Sequence, residues 1–167
     1  MTEKAPKPKA ASRVTLTQLM VPHHANALGH VHGGVIMRMV DETAAIAAMR
    51  HAHRPCVTVA IDSMTFRERV EVGELVSCTA MVNYVGRSSM EVGVKVSAEN
   101  PITGETTHTN SAYLVFVALG EDDRPCTVPE LTLESDDDRR RFEEGEERQQ
   151  YRLAQRQKRA RSTRDEP

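Results

Sequence analysis

The chain has no tryptophan and few aromatic residues of any kind, 4% of its 167 positions. Its core must therefore be built from Val, Ile, Leu, Met and Ala. The cysteines, Cys56, Cys78 and Cys126, are odd in number and far apart, which argues against a disulfide framework and suits reduced thiols in a cytoplasmic setting. No apolar run approaches the roughly 20 residues that span a bilayer. The stretch Met1 to Arg13 is rich in Lys, Pro and Ala and lacks the apolar middle of a secretory signal. Neither charge sign dominates, with a formal net charge of −2, so nothing points to nucleic acid or an anionic membrane as partner. A Gly-x-Ser-x-Gly elbow is also missing, which leaves a Ser-His-Asp mechanism unsupported.

What is present falls into three regions. Residues 1–13 read as a disordered lead-in. Apolar periodicity runs from 14 to 120, and residues 121–133 carry two prolines and read as a connecting loop, which bounds one domain at 14–130. Residues 131–167 form a charged tail with an acidic start (Asp136, Asp137, Asp138) and a basic end (Gln155 to Arg164). That polarity suits a helix dipole, and the scarcity of apolar residues suggests a solvated, partly helical segment.

Within the domain, Val14 to Met20 reads as a first strand. Gly34 to His51 is a helix whose residues Val35, Ile36, Met39, Val40, Ala44, Ile46, Ala47 and Met49 leave little polar face, the pattern of a buried helix. The period then changes to two. Val57, Val59 and Ile61 form one alternating set, Val76 to Tyr84 a second, Met90 to Ala98 a third, and Ala112 to Ala118 a fourth. Gly86-Arg-Ser-Ser89 and Asn100-Pro-Ile-Thr-Gly104 read as the turns between strands. One helix followed by antiparallel strands argues an α+β domain with the sheet curled round the helix. Such a sheet has edges to cover, which favours oligomerisation.

Asp41 stands out chemically. It lies among Met39, Val40, Ala44 and Ala45, and a carboxylate in such surroundings is costly unless paired or used. The ordinary alternative is pairing to Arg38 or Arg50, and Glu42, 100° round the helix, is the competing acid. Upstream, Gly33 and Gly34 open the helix, where backbone N–H groups and the dipole could hold the oxygen of a polarised carbonyl. Asn26 lies just before, in a loop where Asn most often serves turn chemistry. His23, His24, His30 and His32 crowd together, but no cysteine or carboxylate has the spacing of a closed zinc site. Arg87, Ser88 and Ser89 form a cationic hairpin tip that could hold phosphate.

In sequence order, Asn26-x-x-Gly29-x-Val31-His32-Gly33-Gly34, Met39-Val-Asp-Glu42, Arg50-His51, Val57-Thr-Val-Ala-Ile-Asp62, Thr65-Phe66, Val72-Gly73-Glu74 and Ser88-Ser89-Met90-Glu91-Val92 resemble the hotdog-fold acyl-CoA thioesterases. The likeness is to the cytosolic long-chain acyl-CoA hydrolases and their single-domain bacterial relatives, over about residues 14–130. It implies a helix wrapped by a curved antiparallel sheet, protomers paired edge to edge, and often a trimer of dimers. It also implies hydrolysis of fatty acyl-CoA at the dimer interface. Asp41 would then be the catalytic base or nucleophile, with Asn26 contributed by the opposite protomer. Coenzyme A contacts would fall on Thr58, Val59, Ala60, Arg87, Ser88 and Ser89. No cofactor is implied, since coenzyme A is part of the substrate. A non-catalytic acyl-CoA sensor is the alternative, and a hotdog dehydratase using His32 a weaker one.

Overall fold

The computed structural model describes residues 5–62 and 64–162. The first four residues of the lead-in, and the last five of the tail with its terminal arginine Arg164, lie outside them. Five antiparallel strands form one sheet: β2 (Val14–Leu19), β3 (Cys56–Ile61), β4 (Leu75–Val85), β5 (Ser89–Glu99) and β6 (Thr106–Ala118), in the spatial order β2-β4-β5-β6-β3. The alternation read from sequence sets the faces. Val76, Cys78, Ala80 and Val82 of β4, Val92, Val94 and Val96 of β5, and Ala112, Leu114 and Phe116 of β6 are buried on one face. Register shifts between Val82 and Tyr84, between Val96 and Ser97, and between Thr58 and Ala60 mark bulges. Bulges bend strands and increase their twist, and the sheet curves as a half-barrel.

Helix α1 (Gly33–Ala52) lies in that curve. Ala44, Ala47 and Ala48 are fully buried; side chains this short let the helix axis approach the sheet closely. The helix starts where His32 Nδ1 accepts the Gly34 N–H at 2.8 Å, and stops at His53, whose φ of 50° is left-handed. At its end the buried His51 donates from Nε2 to the Pro129 carbonyl at 2.8 Å, tying the helix to the chain after the sheet.

Three expectations need correction. The lead-in is ordered from Lys7: β1 (Lys7–Pro8) pairs in parallel with β7 (Leu131–Thr132), and a 3-10 turn (Lys9–Ser12) follows. The buried Ser12 hydroxyl donates to the Lys9 carbonyl and accepts the Val82 N–H, so this segment closes backbone groups of the sheet. Helix α1 is not buried all round, since Met37 and Met49 are exposed, as are Arg38 and Glu42. Likewise Val57, Val59 and Ile61 are about half exposed, because β3 is an edge strand with one side unpaired.

The tail is a single helix, α2 (Asp136–Ser162), opened by the Ser135 hydroxyl accepting the Asp138 N–H at 3.1 Å. It is docked on the outer face of the sheet rather than simply solvated. Phe142 packs against Tyr84 with ring centroids 5.0 Å apart. Arg148 and Arg152 both bond to Glu91, whose side chain is completely buried near the start of β5.

Candidate active site

Asp41 sits two turns into α1 on its open side and is half-buried. Neither candidate arginine reaches it, because Arg38 pairs with Glu42 at 3.9 Å and Arg50 donates to the Arg13 carbonyl. Its partner is instead Thr58 of β3, whose hydroxyl donates to Asp41 Oδ1 at 2.8 Å. The Thr58/Ala60 bulge leaves Val59 without a partner on β6. Bulges re-aim side chains, and Thr58 is the one that meets α1. A carboxylate fixed by a neutral hydroxyl, with no cation paired to it among the described residues, keeps its other oxygen for chemistry.

The helix N-terminus is less open than the glycine pair suggests. The Gly34 N–H is already spent on His32 Nδ1, and a Cβ on Gly34 would stand 3.0 Å from that nitrogen. Gly34 therefore serves the helix cap, contrary to the reading of both glycines as an oxyanion site. The Gly33 N–H has no acceptor among the described residues. Phe66 covers this glycine, its ring carbon lying 3.4 Å from where a Cβ would project. Phe66 entered the sequence reading only as part of the Thr65-Phe66 motif, with no site role given to it.

Asn26 performs turn chemistry with half of its side chain. Its Oδ1 accepts the N–H groups of Leu28 at 2.9 Å and His30 at 3.3 Å, and Gly29 takes the positive φ of 83° that closes the turn. The Nδ2 group is left to donate elsewhere. No hydrogen bond joins Asn26 to Asp41 within the chain. The loop is braced by His30, whose Nδ1 lies 2.8 Å from Glu71 Oε2 and whose Nε2 accepts from Arg69. His24 is buried and takes the Val21 N–H. His24, His30 and His32 are thus committed to local structure.

The hairpin tip lies at the same end of the sheet as Thr58. Register pairs Val57 with Val117 and Val117 with Ser89, so Ser89 is two strands, or about 10 Å, from β3. The Ala118 N–H donates to the Ser88 carbonyl and the Val128 N–H to the Arg87 carbonyl. The Arg87 side chain is exposed and has no carboxylate partner among the described residues. Val59 and Ala60 continue the edge strand beyond Thr58, away from the tip, and Thr58, expected to contact coenzyme A, is turned onto Asp41. Cys78 offers no nucleophile here. Burial raises the Cys78 thiol to about 11, against a weaker lowering by Thr43, and a neutral thiol is a poor nucleophile.

Residues 28–105 match the model of the thioesterase superfamily. An uncharacterized acyl-CoA thioester hydrolase of Zymomonas mobilis is 40% identical over 127 residues, which cover 76% of this chain and 83% of that protein. The Staphylococcus aureus acyl-CoA hydrolase, solved with butyryl coenzyme A and coenzyme A, superposes with a TM-score of 0.86 at 30% identity, covering 95% of this chain and 98% of that one. An apo-hexameric acyl-CoA thioesterase superposes with a TM-score of 0.85 at 35% identity over 90% of this chain and 97% of its own. Alanine variants of the Staphylococcus aureus enzyme at an Asn, an Asp and a Thr have also been solved.

Proposed function

With the chain belonging to the thioesterase superfamily, we propose that it hydrolyses fatty acyl-CoA to a free acid and coenzyme A, with Asp41 as the catalytic carboxylate. The observation that carries this reading is the Asp41–Thr58 hydrogen bond at 2.8 Å, made by a half-buried carboxylate with no paired cation among the described residues. The Asn, Asp and Thr substituted in the Staphylococcus aureus enzyme occur in the same order and with the same spacing as Asn26, Asp41 and Thr58, which supports the assignment.

The thioester carbonyl oxygen accepts from the Gly33 N–H, at the positive end of α1, where negative charge developing in the transition state is stabilised. Asp41 takes a proton from the attacking water, or attacks the carbonyl itself to give a mixed anhydride that water then opens. The free Nδ2 of Asn26 donates either to the carbonyl or to the water. The leaving thiolate has a low pKa and needs no strong acid. Arg87, Ser88 and Ser89 hold phosphate groups of coenzyme A, and Val59 and Ala60 border its arm.

The half-exposed Val57, Val59 and Ile61 on edge strand β3 support pairing with a second copy of the chain. The Asn26 that completes each site would then come from that copy, and the hexameric relatives support a trimer of dimers.

Free-thiol release across acyl lengths tests this. Asp41→Ala should lose about 10²–10⁴-fold in turnover while folding normally, and so should Asn26→Ala. Mixing the two inactive variants should restore part of the activity. Full activity in Asp41→Ala would sink the catalytic assignment, and no rescue on mixing would sink the shared site. A chain that binds acyl-CoA but never releases thiol would be a sensor.

A further inference from the structure

The outer face of the sheet carries a concavity. It is a cleft of about 750 Å³ between Arg13, β4, β5, β6 and the start of α2. Strand register builds it from two rows. Met81, Gly93 and Tyr113 face one another across β4, β5 and β6, and two residues further along so do Thr79, Lys95 and Ser111. These positions alternate with the core residues Cys78, Ala80, Val92 and Val96, so the cleft and α1 lie on opposite faces.

Its chemistry is one-sided. Arg13, Lys95 and Arg141 line it, with His108 and the hydroxyls of Thr79, Ser97, Thr106, Ser111 and Tyr113, and no carboxylate does. Arg13 and Lys95 have no carboxylate partner among the described residues. Arg141 donates to Asp137, but that carboxylate also serves Arg140. For a chain of net charge −2, this is a local excess of positive charge.

Two buried polar groups point the same way. Asn83 is only 3% exposed and lines the cleft, yet its amide makes no hydrogen bond to any described residue. The glycine at 93 is what admits it, since a Cβ there would collide with Asn83 Nδ2. His108 presents a buried Nδ1 that likewise lacks a partner, while its Nε2 lies 3.2 Å from the Ser111 hydroxyl. Buried polar groups are ordinarily satisfied, and a donor amide between cations and hydroxyls matches the oxygens of a phosphate.

We propose that this cleft is a second binding site, on the face of the sheet opposite the thioesterase centre, for a small molecule bearing a phosphate or diphosphate group. Arg13, Lys95 and Arg141 neutralise its charge, Asn83 and the hydroxyls of Thr79 and Ser111 take its oxygens, and Arg141 makes the first turns of α2 one wall of the site. A cleft of this volume lies within the range of small-molecule pockets.

Calorimetric titration of inorganic pyrophosphate into the full chain tests the proposal, run beside Lys95→Ala, an Arg13→Ala/Lys95→Ala pair and Arg87→Ala. Both Arg13 and Lys95 are exposed, and thermal melts verify folding; should the pair melt early, Lys95→Ala alone carries the test. Saturable binding is expected in the wild type. It should weaken at least about tenfold in the pair, as expected for lost charge-assisted hydrogen bonds, and stay unchanged in Arg87→Ala. Thiol release by the pair should match the wild type. No binding by the wild type, equal binding by the pair, or a loss confined to Arg87→Ala would overturn the proposal. The last result would assign the pyrophosphate to the coenzyme A tip instead.

Discussion

Replacing Arg148 with alanine would strand a carboxylate that has no access to water. Glu91 is completely buried near the start of β5, and Arg148 reaches both its oxygens, at 2.7, 3.1 and 3.2 Å. Arg152 adds one further bond at 3.0 Å. Breaking a buried pair by removing one partner costs about 3–5 kcal/mol. Because Arg152 remains and Arg148 is itself 27% exposed, the lower end applies, about 3 kcal/mol. For a domain of this size that corresponds to a melting temperature lower by about 6–12 °C. Arg148 also stacks on Tyr113, its guanidinium carbon 3.8 Å from the ring centroid, so a single variant mixes two losses. A cycle with Glu91→Leu separates them. The double variant removes the stranded charge and should recover at least about 2 kcal/mol, since apolar replacement of a buried pair is often neutral or better. Thermal and urea melts of the full chain at neutral pH measure each corner. An Arg148→Ala protein melting within about 2 °C of wild type, or additive effects in the cycle, would refute the reasoning.

Two further outcomes are expected. Thr58→Val removes the hydroxyl that holds Asp41; at the low end for a hydrogen bond to a charged, partly exposed group, about 1.4 kcal/mol, turnover should fall about tenfold while Thr58→Ser keeps it, and unchanged turnover in Thr58→Val would show that the contact does not serve catalysis. The hydrogen bonds from Arg141 and Arg140 hold the Asp137 carboxyl at about 2. The support that it gives to the first turn of α2 is complete above the ordinary value of 3.8 and lost as the pH falls toward 2, so amide exchange at 137–141 should stay slow at pH 5, and fraying there would contradict this origin.

Local rules carried much of the structure. The helix was expected over Gly34 to His51 and runs Gly33–Ala52, and the first strand was expected over Val14 to Met20 and runs Val14–Leu19, because apolar spacing and end signals are local. Asp41 was legible as a site candidate for the same reason: an acid among apolar neighbours needs an explanation. His32 was harder. Four histidines close together raise a metal question, and only the fold shows that His32 is spent on the Gly34 N–H.

The sequence by itself determined the periodicities, the turns and the oddity of Asp41, since each depends on residues a few positions apart. Only the tertiary structure decided what touches them. Thr58 lies 17 residues from Asp41 and reaches it across the junction of an edge strand and a helix. Glu91 reads as an outward residue of an alternating strand, yet it is buried by arginines 57 and 61 positions later. Alternation states which face of the sheet a side chain points to, but whether water or α2 covers that face depends on long-range packing. The same limit applies to Val57, Val59 and Ile61: their apolar pattern specifies a surface to be buried, and the edge position of β3 leaves it open within the chain.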